Sequence, residues 1–111
     1  MSTYEKSMPV MGDVPSQSED KSRIIGTSPA NIKFAQEVIA IEIANNSSTA
    51  TIYLNIDGTV ATASKGIPIY AKCYYAAERK ILQNIGISII STQSNTDVRI
   101  IGHYELLSEL K

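Results

Sequence analysis

His103 is the single histidine of the chain, so imidazole chemistry, whether as a general base or as a metal ligand, has one ring to draw on. Its nearest acidic residues in sequence, Asp97 and Glu105, stand at no recognisable ligand spacing. A cupin-like barrel would need several histidines and a carboxylate, which this inventory does not supply. His103 is therefore expected on a strand surface. Hydrolysis by paired carboxylates needs two acids facing one cleft. The acids within the predicted β region, up to residue 105, are Glu37, Glu42, Asp57, Glu78, Asp97 and Glu105. Most fall at strand ends or exposed positions, and turn chemistry accounts for Asp57 and Asp97. Cys73 is the lone cysteine, so no disulfide can form within one chain. With no adjacent histidine to activate it, it is expected as a small apolar strand residue. The glycines stand singly, forming no phosphate loop, and Glu78, Arg79 and Lys80 fit a solvated face. The expectation is a protein without catalytic centre, cofactor or metal, and not an enzyme.

The residues better suited to contact than to catalysis are aromatic and apolar. Tyr53, Tyr70, Tyr74 and Tyr104 either lie half-buried at sheet margins or reach a common surface, where amphipathic rings suit protein contacts; Tyr75 falls on the core face. Residues 1 to about 30 contain three of the four prolines and all three methionines, with no period of 2 or 3.6. That composition predicts an extended N-terminal arm without a core of its own. A plain solvated tail would rarely carry Tyr4, Met8, Val10, Met11, Val14, Ile24 and Ile25. An arm that orders against a neighbouring subunit or another protein is preferred to an ordinary disordered terminus. The expected interface set is Met8, Val10, Met11, Val14, Ile24, Ile25, Tyr53 and Tyr70.

The elements that must position these residues begin near Ile32. "EVIAIEIANN" places Ile39, Ile41 and Ile43 on one face. "NNSS" turns the chain, and "TATIYLNID" answers with Ala50, Ile52, Leu54 and Ile56 inward. Asp57-Gly58 then signals a hairpin into a strand "TVATAS". "IPIYAKCYY" aligns Ile67, Ile69, Ala71, Cys73 and Tyr75, with Pro68 suggesting an edge. "AAERKILQN" is compatible with a helical turn or with a further strand. "IGISIIS" and "TDVRIIGHYEL" close the chain as a hairpin through "TQSN", with Val98, Ile100, Gly102 and Tyr104 on one face, and "ELLSELK" fits a last helical turn. Together these predict an all-β fold, a small antiparallel β-sandwich or barrel of about six to eight strands. The division is an arm over 1–30 and a β domain over 31–111, so a chain beginning near Ile32 is expected to keep the fold.

At 111 residues the chain supports one domain that buries roughly two-thirds of its unfolded surface. A net charge of −1 excludes a general nucleic-acid binder, which needs clustered basic residues. The apolar runs fall far short of the roughly 20 residues of a membrane helix. The first residues show no basic-then-apolar signal, so synthesis in a cytoplasm is expected. Asn45 and Asn46 match Asn-x-Ser, and both are expected to be turn residues rather than glycan acceptors. The absence of Trp weighs against a sugar-binding platform.

The strings "NNSSTATIYL", "ATASKGIPI", "IGISIIS" and "TDVRIIGHY", in that order, resemble small β-rich virion proteins of tailed bacteriophages. The likeness spans residues 32 to 105. It implies a virion structural protein, on the capsid exterior as a decoration or cement subunit, or in the neck or tail. Its implied partners are the major capsid protein, other virion proteins and further copies of itself, a trimer being one form. It carries no catalytic motif to match. The rival reading is a neck, tail or tail-fibre module that binds a host receptor or carbohydrate; this predicts aromatic residues at loop tips, and "NNSS", "DG" and "TQSN" have none.

Overall fold

In the computed structural model, which describes residues 16–105, the alternating segments form strands. In chain order these are β1 (Ser16–Asp20), β2 (Arg23–Ile25), β3 (Ala30–Ile32), β4 (Ala40–Asn45), β5 (Ile52–Asn55), β6 (Ile67–Ile69), β7 (Tyr74–Ala77), β8 (Ile87–Ser91) and β9 (Thr96–Glu105). Sheet I runs β1-β9-β4-β7, with β2 also paired to β9; sheet II runs β3-β8-β5-β6. Every pairing is antiparallel. The pleat sends Ile41 and Ile43 of β4 and Val98 and Ile100 of β9 inward, to meet Ile52 and Leu54 of β5 and Ile87 and Ile89 of β8. The result is an all-β sandwich around an aliphatic core.

Residues 16–30 do not form an arm apart from the domain. β1 pairs along Ile101–Glu105 of β9, and β2 along Thr96–Val98. Between them the Lys21 amide donates to the Ile100 carbonyl at 2.8 Å, and the Ile100 amide donates to Ser22 Oγ at 2.9 Å. The segment therefore follows β9 from end to end, and the boundary placed at residue 30 falls inside β3. A three-residue strand such as β2 is too short to display a period, so its pattern was invisible. Met8, Val10, Met11 and Val14 lie outside the described residues, as does the helical turn expected beyond Glu105.

The hairpin expected through "TQSN" does not form, and the "NNSS" turn likewise joins strands of different sheets. β4 lies in sheet I and β5 in sheet II; β8 lies in sheet II and β9 in sheet I. "NNSS" and "TQSN" are thus arches that carry the chain from one layer to the other. They lie side by side: Thr49 Oγ1 donates to Gln93 Oε1 at 2.8 Å, and the Thr51 amide donates to Thr92 Oγ1 at 3.0 Å. The Asp57-Gly58 turn does not launch a strand either. Asn55 Nδ2 bonds Thr59 Oγ1 and the Val60 carbonyl, and Asp57 bonds Thr59, so local side-chain bonds replace the ladder across "TVATAS". β5 instead pairs with β6 beyond the loop 56–66.

"IPIYAKCYY" is divided at Lys72, whose φ of 62° turns the chain from sheet II into sheet I. Pro68 sits on β6 at the edge of sheet II, where a missing amide proton costs no ladder bond. No helix forms among the described residues; in "AAERKILQN", Ile81 exchanges backbone hydrogen bonds with Val38 and is buried. Val38 also takes the core place expected of Ile39. The alternation slips between Val38 and Ile41, leaving Ile39 36 % exposed. Gly102, in mid-strand, permits the aromatic lid over this end of the core. A Cβ there would lie 2.6 Å from the Phe34 ring.

Candidate interaction surface

The outer face of sheet I follows from the same pleat. Ala40, Glu42 and Ala44 of β4 alternate with the inward isoleucines, while β9 presents Arg99, Ile101 and His103 and β7 presents Tyr74 and Ala76. The small side chains on β4 and β7 leave a trough between taller neighbours. One part, about 200 Å³, is lined by Glu42, Ile43, Ala44, Tyr74, Arg99 and Ile101. The other, about 240 Å³, is lined by Ala40, Ile41, Glu42, Ala76, Ala77, Glu78 and His103.

His103 is on this strand surface, as its alternation predicts. Its partner is Glu42, with Nε2 to Oε2 at 2.8 Å, rather than either acid near it in sequence. Arg99 pairs with Asp97 at 3.4 Å. Among the described residues no group of three or more His, Cys, Asp or Glu side chains is placed to hold a metal ion. The trough offers shape, one aromatic ring and two ion pairs, which suit contact.

The four expected interface residues that are described, Ile24, Ile25, Tyr53 and Tyr70, do not share one surface. Ile24 is exposed on β2, but Ile25, next to it, is 1 % exposed and belongs to the core. Its inward position in the pairing with β9 places it in the core rather than on the surface where an interface was expected. Tyr53, half-buried on β5, and exposed Tyr70, just past β6, belong to sheet II; Tyr74 lies on the outer face of sheet I. Tyr104 falls on the inward-facing series of β9, where its hydroxyl donates to Gln17 Oε1 at 2.9 Å. The common tyrosine surface is thus divided between the two layers. Cys73 is exposed beside the Lys72 turn instead of lying in a strand core.

The residue most tightly built into the arches is Asn45, 1 % exposed. Its Nδ2 donates to the carbonyls of Ala50 at 2.9 Å and Ile69 at 3.0 Å, and its Oδ1 accepts the Ser47 amide at 3.0 Å. One side chain on sheet I thereby fixes both the first arch and β6 of sheet II. A turn residue was expected there. The sequence gives no sign that its amide faces inward, since Asn is common in turns for local reasons. Two exposed carboxylates complete the electrostatics. Asp57 is held below its ordinary pKa by the Thr59 hydroxyl at 2.6 Å and then by the Thr59 amide. Asp20 is lowered by the side chain and then the amide of Ser22. Both depressed groups support the fold above the unfolded carboxylate pKa, and that support is lost as pH falls through the folded value.

No family model matches the chain, and no curated protein does. Among solved structures the chain is similar to a protein of Bacillus endospore appendages, which are described as forming a novel family of disulfide-linked pili. The identity is 13 %, over 84 % of this chain and 88 % of that one, with a TM-score of 0.47.

Proposed function

We propose that this protein is a bacteriophage virion structural protein, a capsid decoration or cement subunit that stabilises the head through protein–protein contacts. The resemblance of its strand and turn strings to small virion proteins supports the reading. So does the use of its chemistry: the single imidazole is engaged by Glu42, and Asp20 and Asp57 are engaged in turns. The observation that carries it is the anchoring of β1. Ser16 pairs with Glu105 at the end of the β9 ladder, so residues 1–15 depart from a fixed point on the edge of sheet I. Met8, Val10, Met11 and Val14 are then delivered to a neighbouring major capsid subunit or another virion protein. Repetition on a lattice multiplies such contacts without requiring any one of them to be strong.

Removing residues 1–15 tests this. The shortened protein is expected to keep its circular dichroism spectrum and its unfolding midpoint, and to occupy particles at about one-tenth of the full chain's level or less, the order of loss when avidity fails. Equal occupancy with equal particle stability would show that these residues are not an assembly element.

A further inference from the structure

We infer that β7 is a docking edge at which a second copy of this chain adds its own β7 antiparallel, joining the two copies of sheet I about a two-fold axis. This goes beyond the proposed function, since it uses neither residues 1–15 nor any particle.

The edges of the two sheets are unequal. β6 carries Pro68, and β3 is three residues long and follows Pro29. The β1–β2 edge is interrupted and carries Glu19, Asp20, Lys21 and Arg23. Short length, proline and charge are the usual devices that stop strands from adding to one another. β7 reads Tyr74-Tyr75-Ala76-Ala77, with neither proline nor charge. Among the described residues no strand pairs with its far side.

The direction of its free hydrogen-bonding groups follows from the ladder. Asn45 stands opposite Cys73 and donates its amide to the Cys73 carbonyl at 2.9 Å. Antiparallel alternation then turns the backbone groups of Tyr75 and Ala77 toward β4, and those of Tyr74 and Ala76 outward. A two-fold axis through Tyr75 sets Tyr74 opposite the partner's Ala76, and Ala76 opposite the partner's Tyr74. Both members of each pair have outward-facing amide and carbonyl groups, so each pair closes two hydrogen bonds.

The side chains fit the same axis. Tyr74 is 75 % exposed on the outer face. Directly across the seam it meets the partner's Ala76, which borders the depression of about 240 Å³. A large ring and a small-residue hollow two positions apart on one strand are self-complementary, as an isologous contact requires. Charge agrees. The axis places Lys72 across from the partner's Glu78 twice over, and neither residue forms an ion pair with another described residue. Lys72 stands at the turn just before β7, where its long side chain can span the seam.

Sedimentation of the full chain over a concentration series, with amide exchange, tests the pairing. A monomer–dimer equilibrium is expected, with the Tyr74 and Ala76 amides protected as the dimer forms. Glu78→Lys turns two attractive pairs into two repulsive ones and is expected to weaken the dimer by about tenfold or more. Adding Lys72→Glu to that variant restores the attraction and is expected to recover dimerisation. Tyr74→Ala removes both rings and is expected to weaken the dimer independently of salt. A monomer at every concentration would overturn the inference, as would a dimer indifferent to Glu78→Lys. A monomer whose Tyr74 and Ala76 amides are nevertheless protected would place another segment of the same chain on this edge, and would equally overturn it.

Discussion

A chain beginning at Ile32 is expected to lose cooperative folding, whereas one beginning at Ser16 keeps it. The longer deletion removes β1, β2 and two of the three residues of β3. It strips one full side of β9, the longest strand, and empties the core site of Ile25. Burying one isoleucine contributes about 1.5–3 kcal/mol. Each lost backbone hydrogen bond adds about 1 kcal/mol. The sum matches the roughly 5–15 kcal/mol by which whole domains are stable. The deletion also leaves Ala35 without Glu19, whose carboxylate accepts the Ala35 amide at 3.0 Å. Urea unfolding followed by circular dichroism decides the matter. A sigmoidal transition in the Ile32 variant, close to that of the full chain, would mean that residues 16–31 only decorate a domain that stands without them. This expected result replaces the one drawn from composition, which cut the domain at residue 30.

Asn45→Ala is expected to destabilise the fold by about 3 kcal/mol or more, at about 1–3 kcal/mol for each of the three groups left without a partner. The Ala50 and Ile69 carbonyls lose their donor and the Ser47 amide loses its acceptor. Asn45→Asp rescues only the Ser47 contact, because a carboxylate cannot donate, and it buries a charge; it is expected to be no better. The neighbouring Asn46→Ala is the control. Its side chain is exposed and makes a 3.3 Å bond to Asp97, so a change within about 0.5 kcal/mol is expected. If denaturant midpoints place the two alanine variants together, Asn45 is a turn residue and does not lock the two layers together.

Face was legible in the sequence, but partner was not. Ile41, Ile43, Ile52, Leu54, Val98 and Ile100 are buried where alternation put them, because burial with period two is a local property of one strand. Alternation is silent about which strand lies alongside. The same Asn-Ser and Gln-Ser grammar serves a hairpin within one sheet and an arch between two, and here it serves arches. The partners that define the outer face are distant in the chain: Glu42 and His103 are 61 positions apart. Ile24 and Ile25 look equivalent in sequence, yet one faces solvent and the other the core, since their fates depend on β9. Ile39 left the core because the strand slips at its start, a shift that no composition records. The residues of the first fifteen positions that are proposed to make contacts lie outside the described residues, and for them the proposal rests on where β1 is anchored.

The claim that this sandwich is a surface subunit of a phage head is tested most directly by imaging intact particles at a resolution that traces the chain. The account predicts two-layered β density on the capsid exterior, with β1 facing a neighbouring subunit and residues 1–15 ordered against it. The same density at the tip of a tail fibre, with residues 1–15 touching no other protein, would contradict it.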